Sequence, residues 1–369
     1  MTRLDTRHQT PDTVLVAMSG GVDSSVAAAV LLEQGYRVFG VTMLLWPEDV
    51  EGAEEGCCGS VHLNDARDVC HRLGISHYTL DLQKEFLSDV VHPFVATYLD
   101  GRTPNPCISC NEHLKFRHLL HKATGIGADL LATGHYARIL VNGSFLLARG
   151  VDLSKDQTYF LFTLGQEEMS RLLFPLGEMT KEDVRSKARS LDLPVHEKAE
   201  SQEICFVPPG KLRDFISQNA PDLPGPGEVV DMDGKAIGRH EGACFYTVGQ
   251  RKGLGIASAE PLYVVRIDIV SNTVVMGSRD EASFIGLTAS GVSWVDSKPP
   301  GSRFEAQVQI RHRHTPALSL ITIHGDGTIS IDFHEPQHGV APGQAVVMYD
   351  DDIVLGGGWI TGPLAQGDR

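Results

Sequence analysis

The feature that most narrows what this chain can fold into is the stretch TVLVAMSGGVDSSVAAAVLLEQGYRVFGVTML, residues 13–44. An apolar, β-branched run (13–18) enters a turn of serines, glycines and one aspartate, a run of helical composition (24–35) follows to its natural stop at Gly35, and a second strand-like run occupies 36–44. Strands that are apolar throughout belong to sheets covered on both faces, and parallel neighbours need a crossover helix. The alternation continues with helices over 64–74, 85–101 and 113–125 and strands over 76–82 and 128–135. It predicts an α/β doubly wound parallel sheet of Rossmann-like type, which binds ligands at the carboxyl ends of its strands.

Near residue 208 the character changes. Pro and Gly become dense, and short strand-like runs separated by turn signals replace helical periods. RFEAQVQIRHRH, ALSLITIH, GTISIDFHE and QAVVMYDDDIVLGGGWI read as an all-β tail forming a small β-barrel. We therefore expect a catalytic α/β domain over 1–208, a small mixed middle domain over 209–286 and a C-terminal barrel over 287–369, with no long-period repeat.

The turn at 19–25 points backbone N–H groups and the positive end of a helix dipole at one spot. Gly20 and Gly21 let an anion approach the backbone, Ser19, Ser24 and Ser25 offer hydroxyls, and Asp23 could hold a metal on phosphates. The turn has neither the lysine of a Walker-type loop nor the spaced glycines of a dinucleotide fingerprint. A purely packing turn is the bland alternative.

The string SGGVDSS resembles the pyrophosphate-binding loop of the PP-loop ATPases, which split ATP between the α- and β-phosphates. GRTPNPCISCNEHLKF (101–116), TGHYAR (133–138), SKDQTYFL (154–161), AESQEICFVP (199–208) and YTVGQRKGLG (246–255) together resemble the tRNA-specific 2-thiouridylases, the MnmA family, from about residue 13 to the C-terminus. The resemblance implies replacement of the C2 oxygen of the wobble uridine, position 34, by sulfur: adenylation of the oxygen, then sulfur attack with release of AMP. It implies ATP held by Ala17, Met18, Ser19, Gly20, Gly21, Val22, Asp23 and Ser24 with Met43 and Gly134, and Mg²⁺ on the phosphates. Cys110 matches the nucleophile and Cys205 the persulfide carrier. Asn105, Pro106 and Cys107 match positions near the target base. Lys155, Asp156, Gln157, Arg311 and His312 match positions along the RNA, and His135 and Gln344 match others that touch it. tRNAs for Lys, Glu and Gln, a cysteine desulfurase or a sulfur-relay protein are the implied partners.

One position departs from the pattern. Many members carry an aspartate after Asn-Pro, where this chain has Cys107. Two cysteines two residues apart, with Cys205 from another loop, form a three-thiolate set. Three readings stand open: a [4Fe-4S] cluster on Cys107, Cys110 and Cys205, persulfide chemistry through Cys205 and Cys110 with Cys107 a bystander, or structural zinc. Cys57 and Cys58 read as loop packing, Cys70 and Cys244 as small buried hydrophobes, Cys244 in a strand-like run.

Composition sets outer limits. A chain of 369 residues with seven scattered cysteines suggests reduced thiols rather than a disulfide framework. A formal net charge of −15 opposes nonspecific nucleic-acid binding; IRHRHTP (310–316) supplies a local basic surface. The first twelve residues lack an apolar secretory core and read as a disordered lead-in. We expect a cytoplasmic monomer with no membrane segment. An amide-forming PP-loop ligase would share Ser19–Ser25 without needing Cys110 and Cys205, and an RNA-binding or metal-sensing protein with a relic loop is the non-enzymatic alternative.

Overall fold

A computed structural model describes residues 12–46, 60–199, 204–208, 210–220 and 222–364. They form two compact units: the described residues of Met1–Leu87, Cys110–Thr158 and Leu164–Pro209, and those of Ser88–Ser109, Tyr159–Thr163 and Gly210–Arg369.

The first unit opens with β1 (Thr13–Ala17), α1 (Val22–Glu33), β2 (Arg37–Leu44), α2 (Ser60–Leu73) and β3 (His77–Asp81). β4 is Leu130–Ala132, a hairpin of β5 (Ala137–Asn142) and β6 (Ser144–Arg149) follows, and β7 is Leu172–Leu173. The sheet runs β3-β2-β1-β4-β7 with every neighbouring pair parallel. Chain order reverses between β1 and β4, the switch point at which such sheets leave a crevice at their carboxyl ends. Val14, Val16, Val26, Ala27, Ala28, Leu31 and Ala132 are all buried in one core, which explains why β1 and α1 read as continuous apolar runs. The doubly wound sheet is therefore as expected. The β5–β6 hairpin is not visible in the helix–strand alternation. The 113–125 helix begins earlier, with wide π-type turns over Cys110–Leu119 before regular α turns over Leu120–Gly125.

The second unit holds β8 (Gly227–Val230), β9 (Ala236–His240), β10 (Tyr263–Asp268) and β11 (Thr273–Gly277), in the order β10-β11-β8-β9. Its barrel uses β12 (Ser283–Trp294), β13 (Arg303–Gln309), β14 (Ala317–Ile323), β15 (Ile329–His338), β16 (Ala345–Asp350) and β17 (Ile353–Leu364). These run 12-15-14-13-16-17, and β12 pairs with β17, so six antiparallel strands close on themselves and leave no free edge. Alternating inward residues such as Val308, Ile321, Ile331 and Val346 fill it. The run 85–101 forms the α turns Gln83–Phe86, a π turn Leu87–Val91 and the α-helix His92–Leu99. Its later part belongs with the second unit because Phe94 meets Phe215 at 6.1 Å and Ile269 fills the space a side chain on Gly101 would need. Cys244 is fully buried, in a short helical turn rather than a strand. Among the described residues no helix is long and apolar enough to cross a membrane.

Candidate functional site

The loop between β1 and α1 is anchored at both ends. Thr42 Oγ1 donates to the Met18 carbonyl at 2.9 Å, and the Met18 N–H donates to Val41 O at 2.7 Å, extending the β1–β2 contact into the loop. Gly20 has φ +67°, and a Cβ there would lie 2.2 Å from the His62 carbonyl oxygen, so only glycine fits. Gly21 is the N-cap of α1 without a side-chain cap, and the first-turn N–H groups of this 12-residue helix are thus left for a ligand. Ser25 Oγ donates to Gly21 O at 2.7 Å and Ser24 Oγ lies 3.2 Å from Ser19 Oγ, which locks the turn. Gly134, two residues after β4, approaches α1 so closely that a Cβ would sit 2.8 Å from Ser24 N. Met43 is buried in β2, opposite Leu80 of β3. The residues from Ala17 to Ser24 and Gly134 thus meet around one helix N-terminus, an anion cradle in geometry and electrostatics.

Asp23 is held differently from expectation. Its carboxylate accepts from Lys181 Nζ at 2.7 and 2.9 Å and from the Tyr136 hydroxyl at 2.9 Å. A metal on Asp23 would have to compete with that ammonium. Lys181 lies 158 residues away in sequence, at the start of the helix Lys181–Ser190, where its capping box announces a helix and nothing announces a partner.

The thiols expected to carry sulfur occupy structured segments. Cys110 opens the π-turn segment and is half-buried; the next residue, Asn111, is buried and accepts from Lys115 Nζ at 2.9 Å. Cys205 is half-buried beside Phe206, whose ring meets Phe86 at 5.3 Å and Trp46 at 6.4 Å, so the Cys205 segment is pinned near the carboxyl end of β2. Cys107 is half-buried in the turn Pro106–Ser109 of the second unit. Among the described residues no group of three or more His, Cys, Asp or Glu side chains is disposed to hold a metal ion. Cys110 and Cys205 lie in the first unit and Cys107 in the second. Cys57 and Cys58 lie outside the described residues. Cys70 is buried and its thiol is pushed up to about 12 by burial, an inert group.

Of the residues expected on RNA, the first unit holds His135, Lys155, Asp156 and Gln157. His135 is buried between Phe116 and Phe174, its Nδ1 is 2.7 Å from Thr133 Oγ1, and burial, then the Lys115 charge, holds its pKa well below the ordinary value. It is a neutral imidazole. Asp156 is buried and consumed internally: it accepts from Arg149 at 2.7 Å, from the Thr158 hydroxyl at 2.7 Å and from the Gly150 N–H at 3.3 Å. Gln157 Oε1 accepts from the Tyr136 N–H at 3.0 Å. Both side chains are thus engaged within the first unit. Lys155 is half-buried.

The second unit gathers the others. Gln344 Nε2 donates to the carbonyls of Thr103 (3.2 Å) and Pro104 (3.0 Å), immediately before Asn105. Buried Tyr159 donates to Ala345 O at 2.9 Å and is hydrogen-bonded by the Asn105 side chain. His312 is exposed and its ring lies 4.4 Å from that of Phe160, and exposed Arg311 donates to His338 O at 2.9 Å. Asn105, Gln344 and His312 are thus brought to one locality through Tyr159.

Comparison with known proteins fits this geometry. A family model described as a tRNA methyl transferase HUP domain matches residues 12–209, a PRC-barrel domain of the same description matches 213–278, and an aminomethyltransferase β-barrel domain matches 285–360. The chain is 49% identical over 348 residues to a tRNA-specific 2-thiouridylase MnmA of Syntrophotalea carbinolica, covering 94% of this chain and 98% of that protein. With the protein of the same description from Carboxydothermus hydrogenoformans it shares 50% over 355 residues, 94% of this chain and 97% of the other. The chain belongs to the MnmA family of tRNA-specific 2-thiouridylases. The match extends along nearly the whole of both chains. Among solved structures, a 4-thiouridine synthetase–RNA complex with bound ATP is 18% identical, with a TM-score of 0.36 over 53% of this chain and 45% of that one. So loose a likeness adds nothing to the assignment.

Proposed function

We propose that the chain is an ATP-dependent tRNA-uridine 2-sulfurtransferase that thiolates the wobble uridine, position 34, of tRNAs for Lys, Glu and Gln. The observation that carries this reading is the anion cradle between β1 and α1, in one unit with Cys110 and Cys205, in a member of the 2-thiouridylase family. The loop from Ala17 to Ser24 with Gly134 and Met43 would hold ATP, and Mg²⁺ would neutralise the phosphates during transfer. The uridine C2 oxygen attacks the α-phosphorus, pyrophosphate leaves, and a poor leaving group becomes AMP.

Sulfur then arrives as a persulfide on Cys205, supplied by a cysteine desulfurase or relay protein. Its terminal sulfur bonds C2 as AMP departs. The Cys110 thiolate attacks Cys205 Sγ, the S–S bond breaks, its electron pair stays on the transferred sulfur as C2=S, and a Cys110–Cys205 disulfide forms. A dithiol reductant restores both thiols. This route asks for two thiols of one unit, Cys110 and Cys205, whereas a cluster would also need Cys107. Asn105, Pro106 and Cys107 would lie near the extruded base, with Arg311, His312 and Gln344 on the RNA, Lys155 toward its backbone, and His135 a neutral neighbour. A soluble cytoplasmic monomer is the matching reading for the free chain.

The test is tRNA thiolation together with iron and acid-labile sulfide content, measured on protein purified without oxygen. Iron-free protein that thiolates tRNA and loses activity on Cys110→Ser or Cys205→Ser supports the reading. About four irons per chain, lost together with activity on Cys107→Ala, would replace the persulfide with a cluster. Pyrophosphate release driven by an amine instead of tRNA would move the protein to the amide-forming ligases.

A further inference from the structure

Lys198 reaches into the nucleotide loop from seven positions before Cys205. Its Nζ donates to the Gly20 carbonyl at 3.0 Å and to His62 Nδ1 at 2.7 Å, and forms an ion pair with Asp65. His62 and Asp65 stand on α2, and the His62 carbonyl oxygen fills the space beside Gly20. Because an ammonium has no lone pair, His62 must accept through an unprotonated Nδ1.

The carbonyl that Lys198 holds is one half of a planar unit. In a trans peptide the C=O of one residue and the N–H of the next point in opposite directions. Fixing the Gly20 oxygen toward Lys198 therefore fixes the Gly21 N–H on the opposite side, at the N-cap of α1. A Gly-Gly peptide is the one most free to turn over, since neither residue carries a Cβ to bar the alternative. We propose that Lys198 is a positioning residue: it locks the Gly20–Gly21 peptide in the anion-binding orientation. The proposal rests on the reading of the loop as the ATP site.

The experiment uses the full-length protein and its Lys198→Met, Lys198→Arg and Asp65→Asn variants. ATP affinity is read by calorimetry without tRNA, KM for ATP and for tRNA in the thiolation assay, and folding by thermal denaturation. Losing a hydrogen bond from a charged group lowers ATP affinity on the order of tenfold in Lys198→Met. KM for ATP rises in parallel, while KM for tRNA and the melting temperature hold. Lys198→Arg, which keeps charge and donors, recovers most of the affinity, and Asp65→Asn falls between. Unchanged ATP affinity in Lys198→Met, no rescue by Lys198→Arg, or a parallel loss of tRNA affinity and melting temperature each overturns the proposal. If the unaltered protein thiolates tRNA but binds no ATP at this loop, the reading of the loop itself fails.

Discussion

The loop after β1 and the loop ending in Cys107 are both short turns beside expected substrate sites, and they are held by opposite means. The first is braced inside its own unit by groups close to a βα junction, and charges do much of the work: Lys198 on Gly20 O and Lys181 on Asp23. The second is braced by neutral donors from distant sequence, with Gln344 on Thr103 O and Pro104 O and Asn105 on Tyr159. Cations behind the first loop suit the phosphates proposed for it, and uncharged contacts behind the second suit the base proposed there, leaving its electrostatics to the RNA.

The harshest way to break this comparison is Asp156→Asn. It strands Arg149 in a buried pair, and the expected cost is about 3–5 kcal/mol of stability, read by denaturant unfolding. If Asp156 instead served RNA through its side chain, stability would hold and only tRNA affinity would fall. Next is Gly20→Ala, which forces a Cβ against the His62 carbonyl at positive φ. ATP-dependent turnover should drop on the order of 100-fold while tRNA binding persists. Gln344→Ala sharpens the contrast from the other side. Removing two neutral hydrogen bonds should raise KM for tRNA roughly tenfold and leave ATP affinity unchanged.

A smaller effect comes with acid. His77 and His135 in the first unit and His240, His314 and His338 in the second all have pKa values lowered chiefly by burial, His314 to about 4. A lowered folded pKa means the unfolded chain takes up protons first. Stability is fully present above about pH 6.5 and is lost as pH falls toward the folded values, by up to about 1.4 kcal/mol per pH unit for each such group. A melting-temperature series from pH 8 to 4.5 reads it, and a flat profile would mean these rings are not buried neutral. The smallest change is expected for Cys107→Ala, within about twofold of full activity in the same thiolation assay.

The contrast also separates what sequence reveals from what it hides. The strand–turn–helix from β1 to α1 was legible because its parts are contiguous: an apolar strand, two glycines, a serine-rich helix start. The closed barrel was legible from strand-length runs and turns. Lys198 and Lys181 were not, since a lysine carries no mark of the carbonyl or carboxylate it will meet across more than 150 residues. Asp156 and Gln157 are expected on RNA by resemblance; that the Asp156 carboxylate also holds Arg149 and the Gln157 amide oxygen the Tyr136 N–H is nothing the sequence marks. The placement of 88–109 with the second unit was hidden for the same reason: Phe94 reads as part of any amphipathic helix until Phe215 is beside it.

The closed barrel has a consequence for the order in which the chain takes shape. β17 must pair with β12 before the ring is complete, and Gln344 lies 241 residues beyond the Thr103 carbonyl it holds. Contacts of such sequence separation form late, because the entropy of closing so long a loop is lost before the contact can repay it. During synthesis the residues around β1 and α1 have their partners early, whereas Asn105–Cys107 wait for strands not yet made. The turn between β1 and α1 can be assembled while the loop ending in Cys107 is still unfinished, and the last strands of the chain decide when the latter is complete.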